Sequence, residues 1–253
     1  MPSITLEVCA ELIASAIAAQ EGGAHRVELC ANLFEGGITP SAATIEIARR
    51  HLTIDLNVMI RPRGGDFLYS GIEFEIMRRD IEIAKELGAN GIVIGLLTAD
   101  GLIDLPRTQV LVEAARPMTV TFHRAFDMVV DPYDALESLI QLGVERVLTS
   151  GLEPTALEGA DTLAQLIEQA ADRVIVMPGG GIHERNIAKI VRQTGASELH
   201  LSGRRGQESQ MRYRSTRIHL GGALHPPEYI QQTTSAARIS ATLDAAQSVN
   251  NPL

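Results

Sequence analysis

Several residues whose side chains carry out acid–base or metal chemistry lie at or just past the ends of short apolar runs. The runs ITLEVC and RVELC end at Cys9 and Cys30. The run TVTFHR ends at His123 and Arg124, and LNVMIRPR contains Arg61. This arrangement predicts a functional site formed where strands end, without indicating a particular reaction.

Acid–base chemistry is predicted for Glu7, Glu28 and His123. Because side chains alternate between the two faces of a strand, Glu7 and Cys9 share a face, as do Glu28 and Cys30. A carboxyl or imidazole group enclosed in such a cleft can have its pKa moved towards neutral pH. Buried charges cost several kcal/mol unless they are paired, so stability alone explains this set poorly. The alternative is a Glu–Arg network that only stabilises the interior.

The two cysteines could form a metal site. Cys9 and Cys30 end adjacent strands, and neighbouring strands lie about 4.8 Å apart. Two thiols there, with the thioether of Met59 nearby, form a donor set that suits Cu(I) best. Buried cysteine is also a common small core residue, so the spacing leaves both interpretations open. No organic cofactor is predicted.

A glycine-rich segment and nearby cations predict an anion site. Gly180 and Gly181 follow the seventh apolar run, and Ser202 follows the eighth. In parallel barrels the loops after strands seven and eight, with a helix N-terminus, form the usual phosphate site. Arg61 and Arg124 would add positive charge at the same mouth. The alternative is that the glycines only form tight turns.

The elements that must position these residues alternate along the whole chain. Eight strand-like runs start near residues 4, 26, 56, 91, 119, 146, 174 and 198, and helical patterns lie between them. No GxGxxG motif follows the first run, which argues against a dinucleotide-binding fold. The pattern predicts an α/β protein with one (β/α)8 TIM-barrel domain over residues 1–253. Within it we expect an irregular segment over residues 204–226 and a C-terminal helix over 228–248.

Composition excludes several classes of partner. The net charge of −9 argues against a nucleic-acid partner. No stretch approaches 18 uninterrupted apolar residues, and the first residues show no secretory signal pattern, so no membrane association is expected. Two cysteines are too few for a disulfide framework, and a cytoplasmic location is expected.

The strings at the strand ends also occur together in a known family. RVELC, EGGITPS, IRPRGGDF, TFHRAFD, VMPGGGI and ELHLSGRR run in the order found in the CutC family, and the resemblance extends from Ile4 to at least Arg214. It implies a (β/α)8 barrel in the cytoplasm, a homo-oligomer (dimer or tetramer) and a role in copper homeostasis. It also implies that Cys9 and Cys30 are Cu(I) ligands.

Three functions are compatible with these observations. The first is a Cu(I)-binding protein of copper homeostasis. The second is a barrel enzyme that acts on a small anionic or phosphorylated substrate, for which the resemblance supplies no reaction. The third is an interaction scaffold that uses the arginine-rich segment over residues 204–217.

Overall fold

Eight strands alternate with eight helices in a computed structural model that describes residues 4–218, 220 and 227–249. The first eight strands are β1 Thr5–Ala10, β2 Arg26–Leu29, β3 Asp55–Met59, β4 Gly91–Ile94, β5 Thr119–Phe122, β6 Arg146–Thr149, β7 Ile175–Pro178 and β8 Glu198–Leu201. The helices are α1 Ile13–Glu21, α2 Ala42–His51, α3 Gly71–Glu86, α4 Leu105–Ala115, α5 Pro132–Gln141, α6 Ala160–Ala170, α7 Ile187–Thr194 and α8 Ala236–Gln247.

The eight strands form one parallel sheet that closes on itself. Their order is β7-β6-β5-β4-β3-β2-β1-β8, and every ladder between neighbours is parallel. A parallel bridge between Gly179 and His200 joins the two ends of the sheet. The predicted TIM barrel is therefore confirmed.

Local signals explain where the helices begin and which face they bury. Ser70 and Glu73 form a capping box at the start of α3, which satisfies backbone N–H groups that lack partners inside the helix. Asp131 accepts hydrogen bonds at the start of α5, directly before the proline that begins the helix. In α3 the buried residues Met77, Ile81 and Ala84 recur at helical spacing and face the sheet.

The apolar core lies between the sheet and the helices. Outward-facing residues of the strands, such as Leu6, Val27 and Leu56, are fully buried there. The other face of each strand points into the barrel and carries the polar residues, as the alternation predicted. Glu7, Arg26 and the other polar groups of this interior are also buried. The hydrophobic core therefore lies outside the strands, and the buried polar residues lie inside the barrel.

The last repeat differs from its prediction. Residues 204–208 are not irregular but form strand β9 (Arg204–Glu208), which pairs antiparallel with β10 (Ile230–Thr234). The helix expected over 228–248 begins only at Ala236, because the β-branched residues of β10 pair in a hairpin first. Part of the predicted irregular segment, residues 219 and 221–226, lies outside the described residues. Among those described, no helix is long and apolar enough to cross a membrane.

Candidate functional site at the carboxyl end of the barrel

A buried ion-pair network fills the lower part of the barrel interior. The guanidinium of Arg26 donates to Glu7 at 2.5 Å and to Glu198 at 2.6 Å. Arg146 donates to the same oxygen of Glu198 at 2.8 Å, and Asn57 donates to Glu7 at 3.2 Å. The four charged groups compensate one another, which is what buried charges require. This pairing is what the Glu–Arg network considered as the alternative at the sequence level requires, and an acid–base role for Glu7 stays a prediction.

His200 links this network to the groups above it. Strand pairing sets His200 level with Glu7, and its Nδ1 lies 2.8 Å from Glu7 Oε1. Its Nε2 lies 3.8 Å from a carboxylate oxygen of Glu28. Burial opposes a charge on the ring, but Glu28, Cys9 and Glu7 together raise the pKa of His200 well above 6.5. The ring is thus held between two acidic groups in one orientation.

The two predicted acid–base glutamates have opposite environments. Burial would raise the pKa of Glu7, but the hydrogen bond from His200 and the charge of Arg26 hold it at about 2. Burial raises the pKa of Glu28 to about 7. The positive charges of His200 and Arg26 lower this pKa, but by less than burial raises it. One oxygen of Glu28, Oε1, has no hydrogen-bond partner within the described residues. Glu7 is therefore a fixed anion, whereas Glu28 can exchange a proton near neutral pH.

A cavity of about 220 Å³ opens above this layer. Its wall consists of residues at or beyond the carboxyl ends of the strands, which is the end of a TIM barrel where function resides. The polar residues that line it are Cys9, Glu28, Glu35, Arg61, His123, Arg124 and His200, and the apolar ones are Leu33, Met59, Phe67 and Leu148. Of the predicted acid–base residues, Glu28 and His123 reach the cavity and Glu7 lies beneath it.

Cys9, Glu28 and His200 form a compact group of metal-binding side chains. The thiol sulfur, one carboxylate oxygen and one ring nitrogen all lie within 4.8 Å of one another, and all three residues are buried. Cys9 is the register partner of Glu28, which explains why they meet. Among the described residues this is the one group with three such ligand atoms so close together.

The register separates the two cysteines more than the sequence suggested. Cys9 is level with Glu28, so Cys30 lies two residues further along β2 and its loop. With strands about 4.8 Å apart and a rise of about 3.3 Å per residue, the two Cα atoms are roughly 8 Å apart. The stagger that a closed barrel imposes on its strands accounts for the difference. The expectation that the two thiols lie side by side at the ends of neighbouring strands is therefore wrong. Whether both cysteines are Cu(I) ligands stays a prediction.

Cys30 occupies an apolar corner rather than the cavity wall. It packs against Met59 and Val93, and its thiol donates a weak hydrogen bond to the carbonyl of Ala10 at 3.6 Å. Burial and the nearby charge of Glu28 raise the pKa of this thiol far above its usual range. Both cysteines are free thiols.

His123 presents a neutral ring to the cavity. Burial and the charge of Arg61 lower the pKa of His123 to about 3. Its Nδ1 accepts a hydrogen bond from the backbone N–H of Ala125 at 3.1 Å, so the ring proton is on Nε2. That Nε2 atom has no partner among the residues described. His123 is therefore a hydrogen-bond donor rather than a base at neutral pH.

The two arginines predicted to bind an anion both line the cavity, but they differ in whether a carboxylate lies beside them. Arg124 forms an ion pair with Asp127 at 2.6 Å and donates to Ser150 at 2.7 Å. Arg61 is 5% exposed, and within the described residues its guanidinium donates to the backbone carbonyls of Glu35, Gly37 and Gly65. The positive charge of Arg61 is thus the less compensated of the two.

Gly180, Gly181 and Ser202 lie outside the wall of this cavity. Gly180 and Gly181 have φ values of 102° and 69°, a region of backbone conformation that favours glycine, so their turn requires these residues. Ser202 faces a separate surface depression beside Arg204 and Gln232. The structure accounts for the glycines by their turn, and an anion-binding role for the three residues stays a prediction.

His200 was not among the ligand candidates identified from the sequence. The proximity of His200 to Cys9 depends on the pairing of β8 with β1, which closes the barrel between residues almost 200 positions apart in the chain. The signal that could have found it is the alternation in ELHLS, which points His200 inward at a strand end.

Comparisons with known proteins agree with this architecture. The chain matches the CutC family profile over residues 4–205. It is 49% identical over 240 residues to a copper homeostasis protein cutC homolog of Mus musculus, which covers 95% of this chain and 88% of the relative. It is 51% identical over 240 residues to a family protein CutC of Chromobacterium violaceum, with 95% and 97% covered. The crystal structure of CutC from Streptococcus agalactiae superimposes with a TM-score of 0.76 and 35% identity, and covers 79% of this chain and 98% of that one.

Fold and site together define a class: a (β/α)8 barrel whose carboxyl-end cavity is lined by a thiol, two imidazoles, two carboxyl groups and two guanidinium groups. The extent and identity of the matches then settle the family. The chain belongs to the CutC family, whose curated relatives include copper homeostasis proteins.

Proposed function

We propose that the protein binds Cu(I) at the carboxyl-end cavity, with Cys9 as its thiolate ligand, as part of a role in copper homeostasis. The observation that carries the proposal is the juxtaposition of the Cys9 thiol and the His200 ring, whose ligand atoms lie within 4.8 Å of each other in the group that also contains Glu28. The name of the mouse relative supports the same role.

The donor set fits a soft monovalent ion. Thiolate and thioether sulfur are the ligands that Cu(I) prefers, and Cys9 and Met59 both line the cavity. His200 adds an imidazole nitrogen, and its other nitrogen is held by the carboxylate of Glu7 at 2.8 Å. A carboxylate behind a histidine in this way fixes ring orientation and increases the basicity of a metal ligand.

The geometry and the family resemblance indicate different residues as the second Cu(I) ligand. The resemblance points to Cys30, whereas the register sets Cys30 two residues beyond the level of Cys9. His200 is close to Cys9 without any movement of the backbone. We therefore propose Cys9 and His200 as the primary pair, with Cys30 as the alternative second ligand that experiment must distinguish. A cytoplasmic location and a homo-oligomeric state stay predictions from the resemblance.

An anaerobic Cu(I) titration against a chromophoric competing chelator tests the proposal. The wild-type protein is expected to bind one Cu(I) per chain, and Cys9→Ser is expected to lose that binding. His200→Asn should weaken it by at least about tenfold, because removing even the partner that orients a metal ligand costs about 10- to 100-fold and this variant removes the proposed ligand itself. Circular dichroism of each variant checks that the barrel is folded.

Cys30→Ser is the matched control, because it removes the other buried thiol of the same chain. Unchanged affinity in Cys30→Ser together with loss in Cys9→Ser supports the proposal. Loss in Cys30→Ser with full binding in His200→Asn would make Cys30 the second ligand. Wild-type binding in Cys9→Ser would overturn the copper site altogether.

A further inference from the structure

Arg61 is a buried cation whose guanidinium is held by backbone carbonyl groups. Its Nη1 donates to the carbonyls of Glu35 and Gly37 at 2.7 and 2.9 Å, and its Nη2 donates to that of Gly65 at 2.8 Å. Phe67 supports the guanidinium at 5.1 Å from the ring centroid. No ion pair joins Arg61 to a carboxylate in the part of the chain that the structure describes. The carbonyls hold the group rigidly but leave its charge uncompensated.

The Nε atom of Arg61 and the Nε2 atom of His123 are both buried and lack hydrogen-bond partners among the described residues. Arg61 is 5% exposed and His123 is 4% exposed, and both line the carboxyl-end cavity. Phe67 packs against both residues, and its ring centroid lies 5.1 Å from that of His123. The hydroxyl of Tyr69 lies beside the Arg61 guanidinium. Unpaired buried donors are rare in proteins, so the Nε2 atom of His123 beside this cavity indicates a missing acceptor.

The other charged groups around the cavity are largely balanced. Arg124 is paired with Asp127, and His200 lies between Glu7 and Glu28. Glu35 is exposed at the rim, where it accepts a hydrogen bond from Asn32. Within the described part of the buried wall, Arg61 is the arginine that forms no ion pair with a carboxylate.

We propose that this cavity binds a small monocarboxylate, with Arg61 supplying the countercharge and His123 a hydrogen bond from Nε2. A monocarboxylate would neutralise the positive charge of Arg61 one for one. A carboxylate also has two oxygens, so one can accept from His123 while the other faces the Arg61 guanidinium. The apolar wall formed by Leu33, Met59 and Leu148 accommodates a short carbon chain. The cavity volume of about 220 Å³ limits the ligand to a small molecule, because pockets for drug-sized ligands measure roughly 300–1,000 Å³.

Nuclear magnetic resonance titration of isotope-labelled protein with pyruvate, and separately with inorganic phosphate, tests this inference. Pyruvate is expected to bind saturably with a dissociation constant of about 1 mM or lower. It should shift the His123 ring nitrogens and the Ala125 amide, which donates to that ring at 3.1 Å. Phosphate should bind at least tenfold more weakly. Absence of saturable pyruvate binding, or tighter binding of phosphate, would overturn the monocarboxylate assignment.

Variants assign the binding to the two residues. Arg61→Lys should weaken pyruvate binding at least tenfold, because a lysine cannot make the same three carbonyl contacts and face the ligand. Arg63→Lys is the matched control and should leave binding unchanged, since Arg63 is paired with Asp66 and Glu73 and does not line the cavity. Equal losses in the two variants would refute the role of Arg61.

His123→Asn provides a second variant in case Arg61→Lys does not fold. The asparagine side chain can still accept the Ala125 N–H bond but lacks the Nε2 donor, and about tenfold weaker binding is expected. Unchanged pyruvate affinity in this variant would contradict the role of His123. The pyruvate titrations use copper-free protein and the Cu(I) titrations use pyruvate-free protein, so failure of the copper site and failure of the carboxylate site are distinguishable.

Discussion

Replacing Glu7 by glutamine should destabilise the protein strongly, because Glu7 is the anion on which the interior network depends. Its carboxylate is fully buried and accepts from Arg26 at 2.5 Å and from Asn57 at 3.2 Å. It also contacts His200 at 2.8 Å. A neutral amide at this position removes one of the two carboxylates that pair with Arg26, in a region that water does not reach.

The magnitude follows from the environment of the carboxyl group. The pKa of Glu7 is about 2 in the folded protein, against 4.5 for an ordinary glutamate. That difference corresponds to about 3 kcal/mol of folding free energy at neutral pH. Breaking a buried ion pair by removing one partner costs a similar amount, roughly 3–5 kcal/mol. We therefore expect Glu7→Gln to lose about 3 kcal/mol or more at pH 7.

Urea unfolding at a series of pH values is the assay, because urea leaves the ion pairs unscreened. The folded-state pKa of Glu7 is lowered, so its contribution is fully present above pH 4.5 and disappears as pH falls towards 2. The stability gap between wild type and Glu7→Gln should therefore be constant from pH 7 to about 5 and shrink below pH 4.5.

Glu137→Gln is the control, because Glu137 also pairs with an arginine and also has a pKa lowered to about 2. Its hydrogen bonds from Arg173 and Gln169 lie at the surface, where exposed ion pairs contribute little. We expect only a small change in this control. A Glu7→Gln protein as stable as the wild type, or a gap that does not narrow in acid, would refute the role given to the buried network.

Two further predictions concern the cavity wall. Gly95→Ala would place its Cβ against the His123 ring with no room for it, so a loss of about 1–3 kcal/mol in urea unfolding is expected. Gly71→Ala, whose Cβ meets nothing within 4 Å at the start of α3, should be neutral or slightly stabilising, and equal effects would contradict this packing. The ring-nitrogen resonances of His123 should show a neutral ring with the proton on Nε2 throughout pH 4–8, because its pKa is lowered to about 3. A titration of this ring within that range would contradict the assigned state.

The barrel could be predicted because its signals are local. Each strand is a short apolar run whose inward face carries the polar residues, and Glu7 and Glu28 are buried where alternation placed them. The β9–β10 hairpin was missed because both of its strands are largely polar. Each strand is stabilised by pairing with the other, and this pairing leaves no signal in either segment alone. Pairing between distant segments has no local pattern in the sequence.

The same limit applies to the site. That Cys9, Glu28 and His123 would share one interior follows from strand alternation alone. Which of them meet depends on register, which is set by the closure of the whole barrel. Register places Cys9 beside Glu28 and His200 instead of level with Cys30. The balance of charge at Arg61 and Arg124 likewise depends on loop contacts that the sequence does not reveal.

X-ray absorption spectroscopy at the copper edge of the Cu(I)-loaded protein tests the central claim most directly. The proposed site predicts sulfur and imidazole nitrogen in the first coordination shell, from Cys9 and His200. The same spectrum is predicted for Cys30→Ser. A shell of two sulfurs without imidazole, converted to a different shell in Cys30→Ser, would contradict the claim that Cys9 and His200 form the copper site.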